Sequence, residues 1–125
     1  MCCGGGLALR HGGGVMGKAQ RLKGHNWERK VAALYREAMP GCDSFRGLQY
    51  RDGENAPDVK HPWLFTECKA MKLTNPRAAL AQALEHCPED LHAVAVCKDD
   101  GKRPFVCMEL ESFLELMGQL WGETR

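Results

Sequence analysis

The residues best suited to chemistry lie in two short segments, Pro57-Asp58 and Glu67-Cys68-Lys69, with eight residues between Asp58 and Glu67. Side chains alternate between the two faces of a strand, so Glu67 and Lys69 point the same way and Cys68 points the other way. An extended segment around Asp58 can bring a second carboxylate beside Glu67. Two adjacent carboxylates in a partly buried site are usually stabilised by a shared proton or a metal ion.

Oxygen ligands of this kind suit Mg²⁺ or Mn²⁺. The spacing therefore predicts a metal site formed by Asp58 and Glu67, with the backbone carbonyl of Cys68 as a further ligand. A metal ion in such a site activates water, polarises a phosphodiester and stabilises the leaving oxygen. Lys69 is expected to orient the water or neutralise transition-state charge. The spacing alone also fits an ordinary Glu–Lys pair at the end of a strand.

The elements that must position these residues are readable from hydrophobic periodicity. Trp27, Val31, Leu34 and Ala38 form one stripe of a helix, which Pro40-Gly41 ends. Glu28 lies next to this stripe, so it can add a carboxylate to the same metal site. The expected order is α-β-β-β-α-β-β-α: a helix over 20–39, strands over 42–50, 58–60 and 63–69, a helix from Asn75-Pro76 to Pro88, strands over 92–97 and 104–108, and a helix over about 111–121.

This order predicts an α/β fold with a mixed sheet that is covered by helices on both faces. The chain has 125 residues, enough for one domain with one core. Residues 1–17 contain seven glycines and are expected to form a disordered tail. We place the folded domain at 18–121 and a short C-terminal tail at 122–125.

Composition narrows the class of protein further. Apolar residues make up 44% and charged residues 26% of the chain, and no apolar run is long enough to cross a membrane. The seven cysteines include no C-x-x-C pair, which disfavours a zinc site. Several of them lie in apolar runs, which fits a reducing, cytoplasmic setting.

The distribution of charge suggests an anionic partner. Net charge is only +1, but residues 18–37 carry six basic and two acidic side chains, while residues 109–125 have a net charge of −3. A solvated helix surface would give the same pattern. Other side chains placed to contact the phosphates of DNA are those near the first helix or the predicted strands: Lys23, His25, Arg46, Gln49, Arg51 and Lys72.

Together these segments resemble the PD-(D/E)xK nuclease superfamily, and within it the small Holliday-junction-resolvase-like endonucleases of phages and prophages. The resemblance spans about residues 20–118. It is carried by KGHNWERKVAALYREA in the first helix, RGLQYRDGENAPDV, FTECKAMK and the N-P-x-x-A-L-x-Q-A helix that begins at Asn75. It implies a restriction-endonuclease-like core, in agreement with the element order.

The resemblance also implies roles for particular residues. Glu28, Asp58, Glu67 and Lys69 match the family's catalytic quartet, and Gln82 matches a glutamine often found near its metal site. It implies Mg²⁺- or Mn²⁺-dependent hydrolysis of DNA, with branched DNA as the substrate and a homodimer as the active form. Two alternatives stay open: a non-catalytic DNA-binding or assembly module on the same fold, and a restriction- or repair-type nuclease.

Overall fold

The computed structural model describes residues 13–47 and 56–124 of the chain, and side chains over 17–47 and 56–123. The predicted order of elements is confirmed. In chain order the elements are α1 (Gly13–Ala38), β1 (Phe45–Arg46), β2 (Val59–Lys60), β3 (Leu64–Met71), α2 (Pro76–His86), β4 (His92–Asp99), β5 (Phe105–Cys107) and α3 (Leu110–Thr124).

The five strands form one mixed sheet in the order β1-β2-β3-β4-β5. Neighbouring strands are antiparallel except β3 and β4, which run parallel with Leu64 opposite His92 and Met71 opposite Asp99. A parallel pair needs a crossover, and α2 supplies it. The predicted mixed α/β sheet is therefore confirmed.

One face of the sheet is covered by α1. Val31 and Ala32 are buried there against Val59, Cys68 and other apolar residues of the strands. Of the predicted stripe, Leu34 and Ala38 are instead exposed, because the helix turns Ala32 towards the sheet in their place. The Trp27 indole adds a polar anchor, because its Nε1 donates to the carbonyl oxygen of Val96 at 3.1 Å. This one contact ties the middle of α1 to a central strand.

The opposite face is covered by α2. Ala79 and Ala83 are buried against the sheet, next to Phe65, Ala93 and Ala95. Small alanine side chains allow the helix to lie close to the strands. As predicted, Asn75 caps the helix, and its side chain accepts a hydrogen bond from the Ala78 N–H.

Several boundaries differ from the expected ones. The strand expected over 42–50 is limited to Phe45–Arg46 in the described residues, β2 begins at Val59 rather than at 58, and β3 and β4 run two residues further than expected, to Met71 and Asp99. The helix ends differ as well. α1 begins at Gly13, so residues 13–17 are helical rather than part of a tail, and α3 continues through 122–124. Extending an existing helix requires much less free energy than nucleating one, so the anchored α1 can continue towards its N-terminus. Residues 1–12 of the expected tail lie outside the described residues. In the described part of the chain, no helix is long and apolar enough to cross a membrane.

Candidate active site

Asp58 lies directly before β2 and is held by the backbone of β3. Its N–H donates to the Thr66 carbonyl oxygen at 2.9 Å, and its Oδ2 accepts the Cys68 N–H at 2.9 Å. Because β2 consists of only two residues, the edge of β3 beside Cys68 is left for this carboxylate rather than for a strand. The position of Asp58 is thus fixed from both its main chain and its side chain.

Gly47, directly after β1, holds the main chain of Asp58 in place. The Gly47 N–H donates to the Asp58 carbonyl oxygen at 2.8 Å. A Cβ atom at position 47 would lie 2.1 Å from the carbonyl oxygen of Pro57, a distance that no side chain can tolerate. Only glycine allows the backbone after β1 to come this close to the Pro57-Asp58 segment.

Glu67 and Lys69 lie on the α2 face of the sheet, because they alternate with the buried Cys68 of the α1 face. Lys69 Nζ is 3.6 Å from Glu67 Oε2. Asp58 lies directly before Val59, whose partner in β3 is Thr66, and the Asp58 and Glu67 carboxyl groups are close enough for each to shift the pKa of the other. The predicted trio is therefore brought together.

Burial governs the electrostatics of this carboxyl pair. The pKa of Glu67 rises from 4.5 to about 7, chiefly through burial; the nearby Asp58 adds to this rise and Lys69 partly offsets it. Burial also raises the pKa of Asp58, against the hydrogen bond from Cys68 N–H. Around neutral pH the pair therefore tends to hold a proton between its two carboxyl groups, as adjacent buried carboxylates do.

Cys68 contributes through its backbone rather than its thiol. Burial raises the pKa of the thiol, and the nearby carboxylates of Asp58 and Glu28 raise it further, so the group stays neutral. The N–H and C=O of one strand residue point to the same side of the strand. The Cys68 carbonyl oxygen is therefore expected on the edge of β3 that Asp58 occupies.

Glu28 is placed differently from the expectation that it joins the carboxyl pair. Arg46 lies opposite Val59 in the sheet and so shares the α1 face. There Arg46 Nε donates to Glu28 Oε1 at 2.7 Å. Burial raises the pKa of Glu28 and the Arg46 hydrogen bond lowers it, while the effect of Asp58 on this pKa shows that the two carboxyl groups are neighbours.

The residues expected to contact DNA are scattered. Arg46 is partly buried and paired with Glu28, and Lys23 forms an ion pair with Asp100 at the β4–β5 turn. His25 is half-buried near Glu28. Lys72 and Gln82 are exposed. Gln49 and Arg51 lie outside the described residues.

The donor set fits a divalent cation that keeps several waters. Within 13–47 and 56–124, no three His, Cys, Asp or Glu side chains are grouped closely enough to bind one metal ion. The side-chain ligands would then be Asp58 and Glu67 alone, with the Cys68 carbonyl beside them. Mg²⁺ typically binds proteins through one or two carboxylates plus water and substrate phosphate. A hard cation would also replace the proton between the two carboxyl groups.

No family model, curated protein or solved structure matches the chain in our comparisons.

Sequence reasoning identified the ionisable residues but missed two that position them. Gly47 falls within the strand predicted over 42–50, whereas it is a point of close backbone contact with Pro57. Arg46 was read as a phosphate ligand, whereas it pairs with Glu28. Glycine is unusual inside a strand, so the presence of Gly47 was a signal for this close contact. Nothing in the sequence pattern identified Glu28 as the partner of Arg46.

Proposed function

We propose that the protein is a metal-dependent DNA endonuclease of the PD-(D/E)xK type, with Asp58, Glu67 and Lys69 at its active site. The observation that carries the proposal is the partly buried carboxyl pair of Asp58 and Glu67, in which Asp58 helps to raise the pKa of Glu67 and the Lys69 ammonium lies 3.6 Å from Glu67 Oε2. Two carboxylates this close repel each other unless they share a proton or a cation, so such a pair is typical of a site that binds a cation.

Each residue has a distinct chemical task. Asp58 and Glu67, with the Cys68 carbonyl, would hold Mg²⁺ or Mn²⁺, which supplies Lewis-acid stabilisation of the phosphodiester and a more acidic water. The Lys69 ammonium neutralises negative charge that develops on the phosphate or holds the attacking water. Glu28 supports the site from the other face of the sheet, through its ion pair with Arg46.

Recognition of DNA is assigned to the exposed basic surface of α1. Lys18, Arg21, Arg29 and Lys30 are all exposed, and phosphate contacts of this kind give affinity without sequence preference. The proposed substrate is branched DNA, in line with the sequence resemblance. Lys72 and Gln82 are further proposed contacts.

A cleavage assay tests the proposal. Purified protein is incubated with a four-way junction, a flap, linear duplex and single-stranded DNA in Mg²⁺, in Mn²⁺ and in a chelator. We expect metal-dependent cleavage, strongest on the junction. Asp58→Asn should abolish cleavage, because it removes a ligand charge while its side-chain oxygen can still accept from the Cys68 N–H.

Asp43→Asn is the matched control, since it makes the same change at an exposed aspartate before β1, and it should cleave like the wild type. Equal activity of the two variants would reveal a contaminating nuclease and refute the assignment. If the wild-type protein cleaves none of these substrates but binds DNA in a salt-dependent way, the result would instead favour a non-catalytic DNA-binding module. Preference for linear duplex over junction would favour a restriction- or repair-type nuclease.

A further inference from the structure

The aromatic ring of Phe45 lies on the same face of the sheet as Glu67 and Lys69. Phe45 is opposite Lys60 and Lys60 is opposite Phe65, so these three side chains share one face of β1, β2 and β3. Phe65 packs in a core cluster with α2, which identifies this face as the α2 face. Glu67 and Lys69 follow Phe65 at intervals of two residues along β3 and therefore lie on that face as well.

Helix α2 covers this face unevenly. Among the described elements it packs on β3, β4 and β5, and Phe65 under it is only 4% exposed. Phe45, at the β1 edge of the same face, is 52% exposed. An aromatic ring on an open sheet face is a common platform on which proteins stack an unpaired base of a nucleic acid.

The charges beside Phe45 suit an anionic ligand. Lys60 Nζ lies 5.9 Å from the centroid of the Phe45 ring, near the outer limit of about 6 Å for a cation–π contact. Such a contact is weaker than the stacking of a base on the ring. A base can therefore take the place of the ammonium group over the ring, and the ammonium group can meet the phosphate of the same nucleotide. Lys69, whose side chain is 33% exposed, adds a second ammonium group on this face.

The distance between Phe45 and Glu67 matches a short length of one DNA strand. Two strand spacings of about 4.8 Å and two residues of about 3.3 Å separate the two positions, which places their Cα atoms roughly 12 Å apart. Successive nucleotides of a stacked DNA strand are about 3.4 Å apart, so this distance spans about three or four nucleotides. A strand that is cleaved at the carboxyl pair can thus bring one of its bases to Phe45.

We propose that Phe45 is a stacking platform for an unpaired DNA base and is the residue that favours DNA in which base pairing is interrupted. This inference rests on the proposed nuclease function, since it takes the carboxyl pair as the point of cleavage. A base inside a duplex must leave its stack before a side chain can stack on it, and this requires the least free energy where the DNA is already unpaired. Stacking tolerates any base, so Phe45 selects a DNA structure rather than a sequence.

Binding to labelled DNA tests the proposal, with an oligothymidine single strand and a linear duplex of the same length in EDTA. Phe45→Ala should weaken binding of the single strand about 10-fold, as for the loss of one stacked base. Binding of the duplex should change by no more than about 2-fold, because it depends on phosphate contacts elsewhere. Phe45→Trp should bind both like the wild type, because it keeps an aromatic face. Phe105→Ala is the matched control, since it removes a 39% exposed phenylalanine from β5 at the other edge of the sheet, and both affinities should stay unchanged.

Four results would overturn the proposal: a wild type that does not bind the single strand, wild-type binding of the single strand by Phe45→Ala, equal losses on single strand and duplex, or a loss that Phe45→Trp does not restore. The last two would identify a structural role for Phe45. The cleavage assay separates this inference from the nuclease function. If the wild type cleaves no DNA but Phe45→Ala selectively loses single-strand binding, Phe45 remains a base platform and the nuclease assignment fails. If the wild type cleaves DNA and Phe45→Ala binds the single strand normally, the nuclease assignment remains and the platform is wrong.

Discussion

Replacing Glu67 with glutamine should make the metal-free protein more stable at neutral and alkaline pH while abolishing activity. The pKa of Glu67 rises from 4.5 to about 7, chiefly through burial, and its side chain keeps only 14% of its surface exposed. At about 1.4 kcal/mol per pH unit the rise corresponds to roughly 3 kcal/mol. Because Asp58 shares the same proton, we expect about 1–2 kcal/mol to be observed.

The sign of the effect follows from proton linkage. A carboxyl group with a raised pKa in the folded state binds more protons folded than unfolded between pH 4.5 and about 7. Its contribution to stability is therefore complete below the unfolded pKa and is lost as pH rises through the folded one. Glutamine cannot ionise, so Glu67→Gln should match the wild type near pH 4.5 and exceed it above pH 7.

Urea unfolding in EDTA at several pH values from 4.5 to 8 measures this difference. Glu89→Gln, at an exposed glutamate, is the control and should give a constant difference from the wild type. At the highest pH tested, Mg²⁺ or Mn²⁺ at a free concentration ten times its dissociation constant should stabilise the wild type by about 1.4 kcal/mol. The same metal concentration should stabilise Glu67→Gln less. If the difference in unfolding free energy between Glu67→Gln and the wild type does not change with pH, the conclusion that the buried Asp58–Glu67 pair destabilises the protein when it ionises is refuted.

Three further predictions test the scaffold and the DNA surface. In urea titrations, Gly47→Ala should lower the free energy of unfolding by about 2–3 kcal/mol, because its Cβ would collide with the Pro57 carbonyl. Gly24→Ala is the control and should not destabilise the protein, because the space around Gly24 is open. Trp27→Phe should lose about 1–2 kcal/mol with its hydrogen bond to β4, again measured with urea. Lys30→Gln should reduce the slope of log affinity against log salt by about 0.9 in DNA-binding titrations; an unchanged slope would remove this exposed lysine from the interface.

Periodicity was sufficient to predict the architecture. The buried stripe around Trp27 and Val31, the Asn75-Pro76 helix start and the turn between the strands predicted over 92–97 and 104–108 each have a local physical cause that is readable without coordinates. Gly101, for example, has φ 72°, a conformation that glycine adopts easily. Element boundaries were less predictable, since the N-terminal extension of α1 depends on helix propagation rather than on local signals.

Contacts between distant segments were the part that could not be predicted. The alternation of side chains along a strand was enough to predict that Glu67 and Lys69 lie on one face of β3. The extended segment before it was enough to predict that Asp58 lies near them. The Glu28–Arg46 ion pair joins positions 18 residues apart, and neither residue type specifies the other as its partner. The exposure of the α3 side chains could not be predicted either, because an amphipathic helix has the same sequence pattern whether or not its apolar face packs on its own sheet.

The shortness of β2 is itself a requirement of the proposed site. Val59 and Lys60 pair with β3, and at Cys68 the edge of β3 receives the Asp58 side chain instead of another strand residue. A strand that began earlier would place main-chain groups in the space of the carboxylate and leave Asp58 without its anchor. Pro57 prevents this, because proline has no N–H to donate to a sheet. Pro57 therefore ends the strand and Asp58 supplies the carboxylate, so the position of the carboxylate depends on the residue that precedes it.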